Sequence, residues 1–503
     1  MVDEAQHEAG GTLTLLSEAA AQGSWERLAA MVPPPPGSER PWADPLDGVR
    51  RLLATRLAEE PADAADLASA VGWGLAEQGR WAEAHEFVLV AAQAFDGVRA
   101  EKGSPRSSAW FDTMATSTLV EWHTLGTTRA FDRLSRELAG PRAANRMTSV
   151  HARALVALGR VHLGRQESGS AVVSFSRALR LSFEGTLDRA NVVAELALAR
   201  FRHGDWRGAR QDSSLAATQA GSTPYVAGAS AGMAADAIWP ALSGDVGTAR
   251  DLVDRARRAV TERPSVAADI VILHARIALA MNAGDWKEMV RCLAEFDDSG
   301  YRRIYDQDEW FALKAIALRN AGSTDEHREL LRRWEGTSPG TNAAYYWAHR
   351  GLAAHDAGRG ADALSAAARA GTLVNDEQDA LGRGWTRIVI GTLTSFHGDP
   401  TVGMEYYEAA REEFRGLGAD GFVKRCNEIL LATAEHLASQ STDPLAALTA
   451  KQREVARLVA EGYTSAEMAT VLGLSKKTVD FHVANILSRL RLSGRREIRR
   501  LLA

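Results

Sequence analysis

Between Ser475 and Arg491 the chain gathers two lysines, a threonine, an aspartate, a phenylalanine, a histidine, an asparagine and an arginine at Lys476, Lys477, Thr478, Asp480, Phe481, His482, Asn485 and Arg489. Cations at the start and flank of a helix suit phosphate oxygens, which that end of a helix also attracts through its free N–H groups. An acid and an aromatic ring on the same outward face suit base edges, where an aspartate accepts from an exocyclic amine and a ring meets a methyl group. An exposed phenylalanine among charges has little reason to be on a plain solvated face. The bland alternatives stay beside each residue. Lys476, Lys477 and Arg489 also work as solvent charges, Thr478 as support for the helix start, and His482 as half-buried packing at the edge of the apolar stripe. Asn485 lies at the other edge, within reach of sugar-phosphate.

Such a set acts together only if a rigid frame presents it, and the flanking sequence supplies one. Thr449 with Gln452 three residues on is a capping box, so a first helix starts there and Gly462 stops it. Thr464 with Glu467 is a second capping box, opening a short helix from Ser465 that Gly473 ends. Ser475 caps a third helix, Lys476 to Arg491. At about 100° per residue, Val479, Val483, Ile486 and Leu490 form its inward stripe. Lys477, Asp480, Phe481, Ala484, Ser488 and Arg491 lie opposite. A short helix, a glycine turn and a longer helix make a helix-turn-helix. A fourth helix carries Arg495, Arg496, Arg499 and Arg500, with Ile498 and Leu501 facing inward.

Charge agrees with a polyanion partner at this end alone. Residues 445–503 hold eleven Lys or Arg against five acids, a balance of +6, whereas the whole chain is at −5, which leaves the first 444 residues at −11.

Those 444 residues read as helix nearly throughout, punctuated by glycine. Gly164, Gly204, Gly244, Gly284, Gly322, Gly358 and Gly398 fall at intervals of 40, 40, 40, 38, 36 and 40 residues, with Gly126, Gly79 and Gly23 extending the series upstream. Each glycine is expected to end a helix in the left-handed conformation. Five residues later stands a small residue, as at Ala84, Gly169, Ala209, Ala249, Ala363 and Gly403, where the returning helix comes closest. Leu28, Phe131, Met289 and His327 depart from that rule, and looser packing is expected there. Pro33–Pro36 reads as an inserted loop. Helix pairs at a fixed period cannot bury their apolar faces alone and stack on their neighbours. The expected fold class is therefore all-α: an α-solenoid over 1–437, a linker at 438–447, and a helix-turn-helix domain over 448–503 with its motif at 465–484 and its recognition helix at 476–491.

Catalysis and cofactors find no foothold. Gly228-Ala229-Ser230-Ala231-Gly232 matches a nucleophile elbow in letters only, since it lies inside a helical segment and no strand leads into it. None of the seven lysines follows a glycine as a phosphate-binding loop requires. The two cysteines, Cys292 and Cys426, have no metal-ligand spacing, so no metal, cofactor or enzymatic activity is expected. The acidic N-terminus and interrupted apolar runs point away from a secretory signal or membrane span and toward the cytoplasm.

The C-terminal pattern resembles the LuxR-type domain. Leu448-Thr449, Gly462, Ala469, Leu472, Ser475, Thr478-Val479, His482, Ile486, Leu490 and Ser493-Gly494-Arg495 stand at its spacing. The body is similar to tetratricopeptide-like repeats, and most of all to the longer repeats of large LuxR-type regulators such as the maltose-regulon activator, without their ATPase domain. The resemblance implies a transcription regulator, leaning toward activation, that binds promoter DNA as a homodimer through Thr464, Ser465, Lys476, Lys477, Thr478, Asp480, Phe481, His482, Asn485 and Arg489. RNA polymerase is an implied partner, and the fourth helix an implied dimer contact. Where many relatives carry Lys or Arg, this chain has Asp480 and Ala484, so two basic groove contacts are missing; the aspartate accepts from cytosine or braces an arginine. A small molecule, peptide or protein effector is expected at the body, with Trp73, Trp122, Trp239, Trp310, Trp347 and Trp385 either lining its concave face or filling its core. The competing expectation is a solenoid scaffold whose helix-turn-helix binds protein, such as RNA polymerase.

Overall fold

The computed structural model describes residues 14–21, 24–32, 44–97, 108–139, 151–165, 167–181, 189–220, 226–262, 264–298, 307–337, 343–376, 380–440, 445 and 447–502. Gly23 and the Pro33–Pro36 run lie outside the described residues. Every regular element among the described residues is a helix. The chain divides into two compact units, one of residues 1–241 and 245–307, the other of 242–244 and 308–503.

In the first unit, antiparallel pairs follow one another. Examples are α1 (Pro61–Glu77) with α2 (Trp81–Gly97), α3 (Arg189–His203) with α4 (Trp206–Ala220), and α5 (Val266–Ala283) with α6 (Trp286–Asp298). The local chemistry of the connector explains the forty-residue beat. Gly204 and Gly284 end their helices at φ +87° and +69°, a conformation that costs glycine little. The next residue then caps the following helix, as Asp205 Oδ1 accepts from Gly208 N at 3.0 Å and Asp285 Oδ1 from Glu288 N at 3.0 Å. Stop and start are thus adjacent residues. Gly164 and Gly398 break the expectation, because neither has a positive φ, and Gly418 at +66° takes up the role outside the beat.

Among the positions five residues past the glycine, small and large residues are buried alike: Ala84, Ala209, Leu28 and Met289 are all 0% exposed. The Gly-Ala-Ser-Ala-Gly run sits in the helix Val226–Ser243, where a Cβ on Gly232 would stand 2.7 Å from the Ala216 carbonyl oxygen; that glycine serves helix contact. Trp73, Trp310 and Trp385 are buried, which favours core over lining. Arg160 is buried too, donating to Glu195 at 2.7 Å and Glu77 at 2.6 Å and so tying three helices of this unit together. α5 is long and apolar enough to cross a membrane by length and composition, but it is mostly buried here and carries Arg276 paired with Glu288 and Glu295.

The second unit continues with α7 (Ala344–Asp356) against α8 (Gly360–Leu373), α9 (Ala380–His397) against α10 (Pro400–Gly416), and the long α11 (Asp420–Gln440). The α9–α10 crossing is tight because a Cβ on Gly391 would lie 2.8 Å from the Gly403 oxygen. α11 runs through 438–440, the start of the expected linker; residues 441–444 and 446 lie outside the described set. Four helices follow: α12 (Ala450–Glu461), α13 (Ser465–Leu472), α14 (Lys476–Arg489) and α15 (Arg495–Leu502).

Candidate nucleic-acid interface

Local chemistry builds α12 to α15 as the sequence implies. Both capping boxes form, with Thr449 accepting from Gln452 N and Thr464 from Glu467 N while each N3 side chain answers its cap. Gly462 and Gly473 close their helices at φ +101° and +65°. Ser475 accepts from Thr478 N at 3.0 Å, and its hydroxyl meets that of Thr478 at 2.7 Å. Val455, Val459, Met468, Val479, Val483, Ile486 and Ile498 form one buried cluster with Leu448. Two details differ from expectation. α14 ends at Arg489, Leu490 being its cap, because Arg491 turns to φ +52°. Leu501 is exposed, and Leu502 packs against the cluster in its place.

The outward residues of α14 fall into two rows. Lys476, Lys477, Asp480, Ala484 and Ser488 are exposed. Asp480 is braced by Arg495, whose Nη2 donates to its Oδ1 at 3.2 Å, and by the hydroxyl of Ser465, which also receives Arg495. That is the bracing alternative for the aspartate. Ser465 is therefore buried, and the exposed Thr464 donates its hydroxyl to Glu467 at 2.8 Å.

The second row meets protein. Phe481 lies under two guanidinium groups of α10, Arg411 at 5.2 Å and Arg415 at 5.3 Å from the ring centre. Arg489 pairs with Glu408 at 2.7 Å and donates to Gln452 Oε1 at 2.7 Å, leaving its side chain 6% exposed. Gln452 in turn donates to Glu408. Burial raises the Glu408 carboxyl and lowers the Arg489 guanidinium from their ordinary values, each partly offset by the other's charge. The imidazole of His482 is held below the ordinary histidine value, mainly by burial and also by Lys451. Thus the structure groups Phe481, His482, Asn485 and Arg489 on a covered row and Lys476, Lys477 and Asp480 on an open one. Glu408, Arg411, Arg415 and Arg495 were not foreseen as members of this surface. Nothing local marks the first three, although the fourth stood in the family's closing Ser-Gly-Arg. Among the described residues no cluster of His, Cys, Asp or Glu could hold a metal.

Residues 446–502 match the family described as bacterial regulatory proteins, luxR family. They are a LuxR-type helix-turn-helix domain. Curated relatives include the transcriptional regulatory protein UhpA of Escherichia coli, 37% identical over 106 residues covering 18% of this chain and 53% of UhpA. The transcriptional activator protein AnoR of Acinetobacter nosocomialis is 40% identical over 48 residues, covering 10% of this chain and 20% of AnoR. The nitrate/nitrite response regulator protein NarP of Escherichia coli is 29% identical over 97 residues, covering 19% of this chain and 42% of NarP. The chain spans about half the length of UhpA, or less of the others. A solved structure of a Rap protein complexed with competence and sporulation factor is similar over 75% of this chain and 99% of that one, at 12% identity and a TM-score of 0.47. The described residues ahead of the LuxR-type domain are an all-α array of paired helices.

Proposed function

We propose that this chain is a transcription regulator, an activator by preference, that binds promoter DNA through its LuxR-type domain and receives its signal through the helical body. The observation that carries the reading is α14 itself. Its N-terminus is capped, Lys476 and Lys477 are exposed beside it, and Asp480 is held outward by Ser465 and Arg495. Exposed lysines at a helix start suit phosphates, and a fixed aspartate suits a base edge. Thr464, Ser465 and Thr478 would add contacts to the backbone, with Phe481, His482, Asn485 and Arg489 joining them when uncovered. A homodimer on DNA, contact with RNA polymerase and a small-molecule, peptide or protein effector at the body complete the proposal. DNA as partner sets the location in the cytoplasm, and the mechanism uses neither metal nor nucleotide.

The test uses a promoter site recovered by genome-wide binding of the intact protein, compared with scrambled duplex at several salt concentrations. Lys477→Ala should weaken both duplexes and lower the salt slope by about one. Asp480→Ala should cost roughly 1–3 kcal/mol on the promoter site alone. If Asp480→Ala tightens both duplexes equally, the aspartate reads no base. A chain without salt-dependent DNA affinity under any condition would favour the protein-binding scaffold instead.

A further inference from the structure

The row Phe481, Asn485 and Arg489 runs along α14 at intervals of one turn, and its two ends, Phe481 and Arg489, meet Glu408, Arg411 and Arg415 of α10. The contact is made by long side chains. Arg415 and Arg411 lie over the Phe481 ring, and Glu408 holds Arg489 and Gln452 together. Around it, Arg491 pairs with Glu435 of α11, and the Glu405 carboxylate accepts from Ala450 N at the start of α12. We propose that the last helix pair of the body caps the recognition helix, so that α10 and a DNA duplex compete for the same side chains and the arrangement described here is the closed one. This rests on the DNA-binding reading above and adds its regulation.

Three observations favour a cap over a composite surface in which α10 would help hold DNA. First, Arg411 of α10 is spent inward: it is 5% exposed and donates to Asn427 at 3.2 Å rather than presenting itself to solvent. Second, α10 brings acids to the junction. Glu405, Glu408 and Glu412 all stand near the LuxR-type domain, where a phosphate backbone would be repelled. Third, the contact leaves polar atoms without partners. His482 Nδ1, Asn485 Nδ2 and two guanidinium nitrogens of Arg411 are buried with no hydrogen bond. A buried donor that lacks a partner is a penalty carried by the contact itself. The Arg489–Glu408 pair offsets little of it, because taking both charges out of water costs about what their attraction returns. A contact so balanced can be opened by any ligand that binds the open arrangement better, and only by such a ligand. The open row explains what the closed chain retains. Lys476 and Lys477 still reach phosphates, so closed protein keeps a weak, salt-sensitive affinity and lacks the contacts of Phe481, Asn485 and Arg489.

The experiment uses the full chain, a random-sequence duplex as probe, and two substitutions on α10 that leave the LuxR-type domain untouched. Glu408→Ala frees Arg489. Arg415→Glu uncovers Phe481 while making the chain more acidic, so its sign decides: the cap expects affinity for the duplex to rise about tenfold, whereas a composite surface expects it to fall. A second measurement needs no DNA. In Asn485→Cys the new thiol is expected to react slowly with a charged maleimide, against a low background because Cys292 and Cys426 are buried. Adding Arg415→Glu or Glu408→Ala should speed the reaction at least tenfold. Equal labelling rates in all three backgrounds, or weaker duplex binding by Arg415→Glu, overturn the cap. Faster labelling in a chain that binds no duplex in any form upholds the cap and defeats the DNA-binding reading.

Discussion

The two outward rows of α14 come from one run of sequence and meet opposite surroundings. Lys477, Asp480, Ala484 and Ser488 look into solvent, whereas Phe481 and Arg489, on the adjacent row, are covered by residues of α10. Within the LuxR-type domain alone both rows lie off its core, which takes Val479, Val483 and Ile486 from α14, and Arg489 meets only Gln452 there. Outward-facing in a domain is therefore not the same as exposed in a chain. The difference concerns function, because the covered row holds the only phenyl ring and the only arginine among the candidate contacts of α14.

Four substitutions and one change of pH would break or sharpen that comparison. The largest should be Ile486→Asp, which buries an unpaired charge at a position 0% exposed in the core shared by both rows. A loss above about 4 kcal/mol is expected, seen as early melting of the LuxR-type domain, with both rows failing together. Next, Arg489→Met removes one partner of a buried pair and strands Glu408, at roughly 3 kcal/mol. Lys477→Met on the open row should change stability by under about 0.5 kcal/mol in the same urea titration. Similar effects from the two would mean that the rows do not differ.

Ser465→Ala takes a donor from Asp480 and an acceptor from Arg495. About 1 kcal/mol of domain stability should go with it, and Asp480 should lose its fixed direction, measurable as weaker discrimination between promoter and scrambled duplex. The smallest effect is one of pH. His482 is held below its ordinary value by burial, with Lys451, Arg411 and Arg489 acting the same way and Glu412 opposing. A lowered histidine value means that the neutral form is favoured in place, so its contribution is fully present above the ordinary value near 6.5 and is lost as pH falls below that and through the lowered value of the folded chain. Acid should thus loosen the covered row. A proton titration of the His482 ring should show a midpoint below the ordinary value in the native chain and a return toward it in Arg415→Glu. An ordinary midpoint in the native chain would show that the ring is not covered.

Much of this architecture is legible one turn at a time. Thr449 with Gln452, Thr464 with Glu467, Ser475, Gly462 and Gly473 act on neighbours within a few residues, so their letters suffice to mark helix ends. The same holds for Gly204-Asp205 and Gly284-Asp285, where the stop signal of one helix touches the start signal of the next. The local signal fails where a helix can end without a left-handed residue, as at Gly164 and Gly398, or where Arg491 adopts that conformation without being glycine. The face that α15 buries differs from the expected one for a related reason. In so short a helix a single residue of register decides that Leu502 packs and Leu501 does not.

Periodicity and capping sort the residues of α14 into inward and outward, because both depend on backbone geometry that repeats every turn. They carry no information about what stands beyond the side chains. That Glu408 meets Gln452, 44 residues later, and through it Arg489, depends on how α10 and α12 pack, and no local pattern in either helix records it. The buried Arg160, shared between Glu77 and Glu195, is invisible in the same way, since an arginine in a helix reads as solvated until three helices close around it. Local sequence therefore settled which residues the LuxR-type domain turns outward. Burial, a property of the packed whole, settled which of them reach solvent.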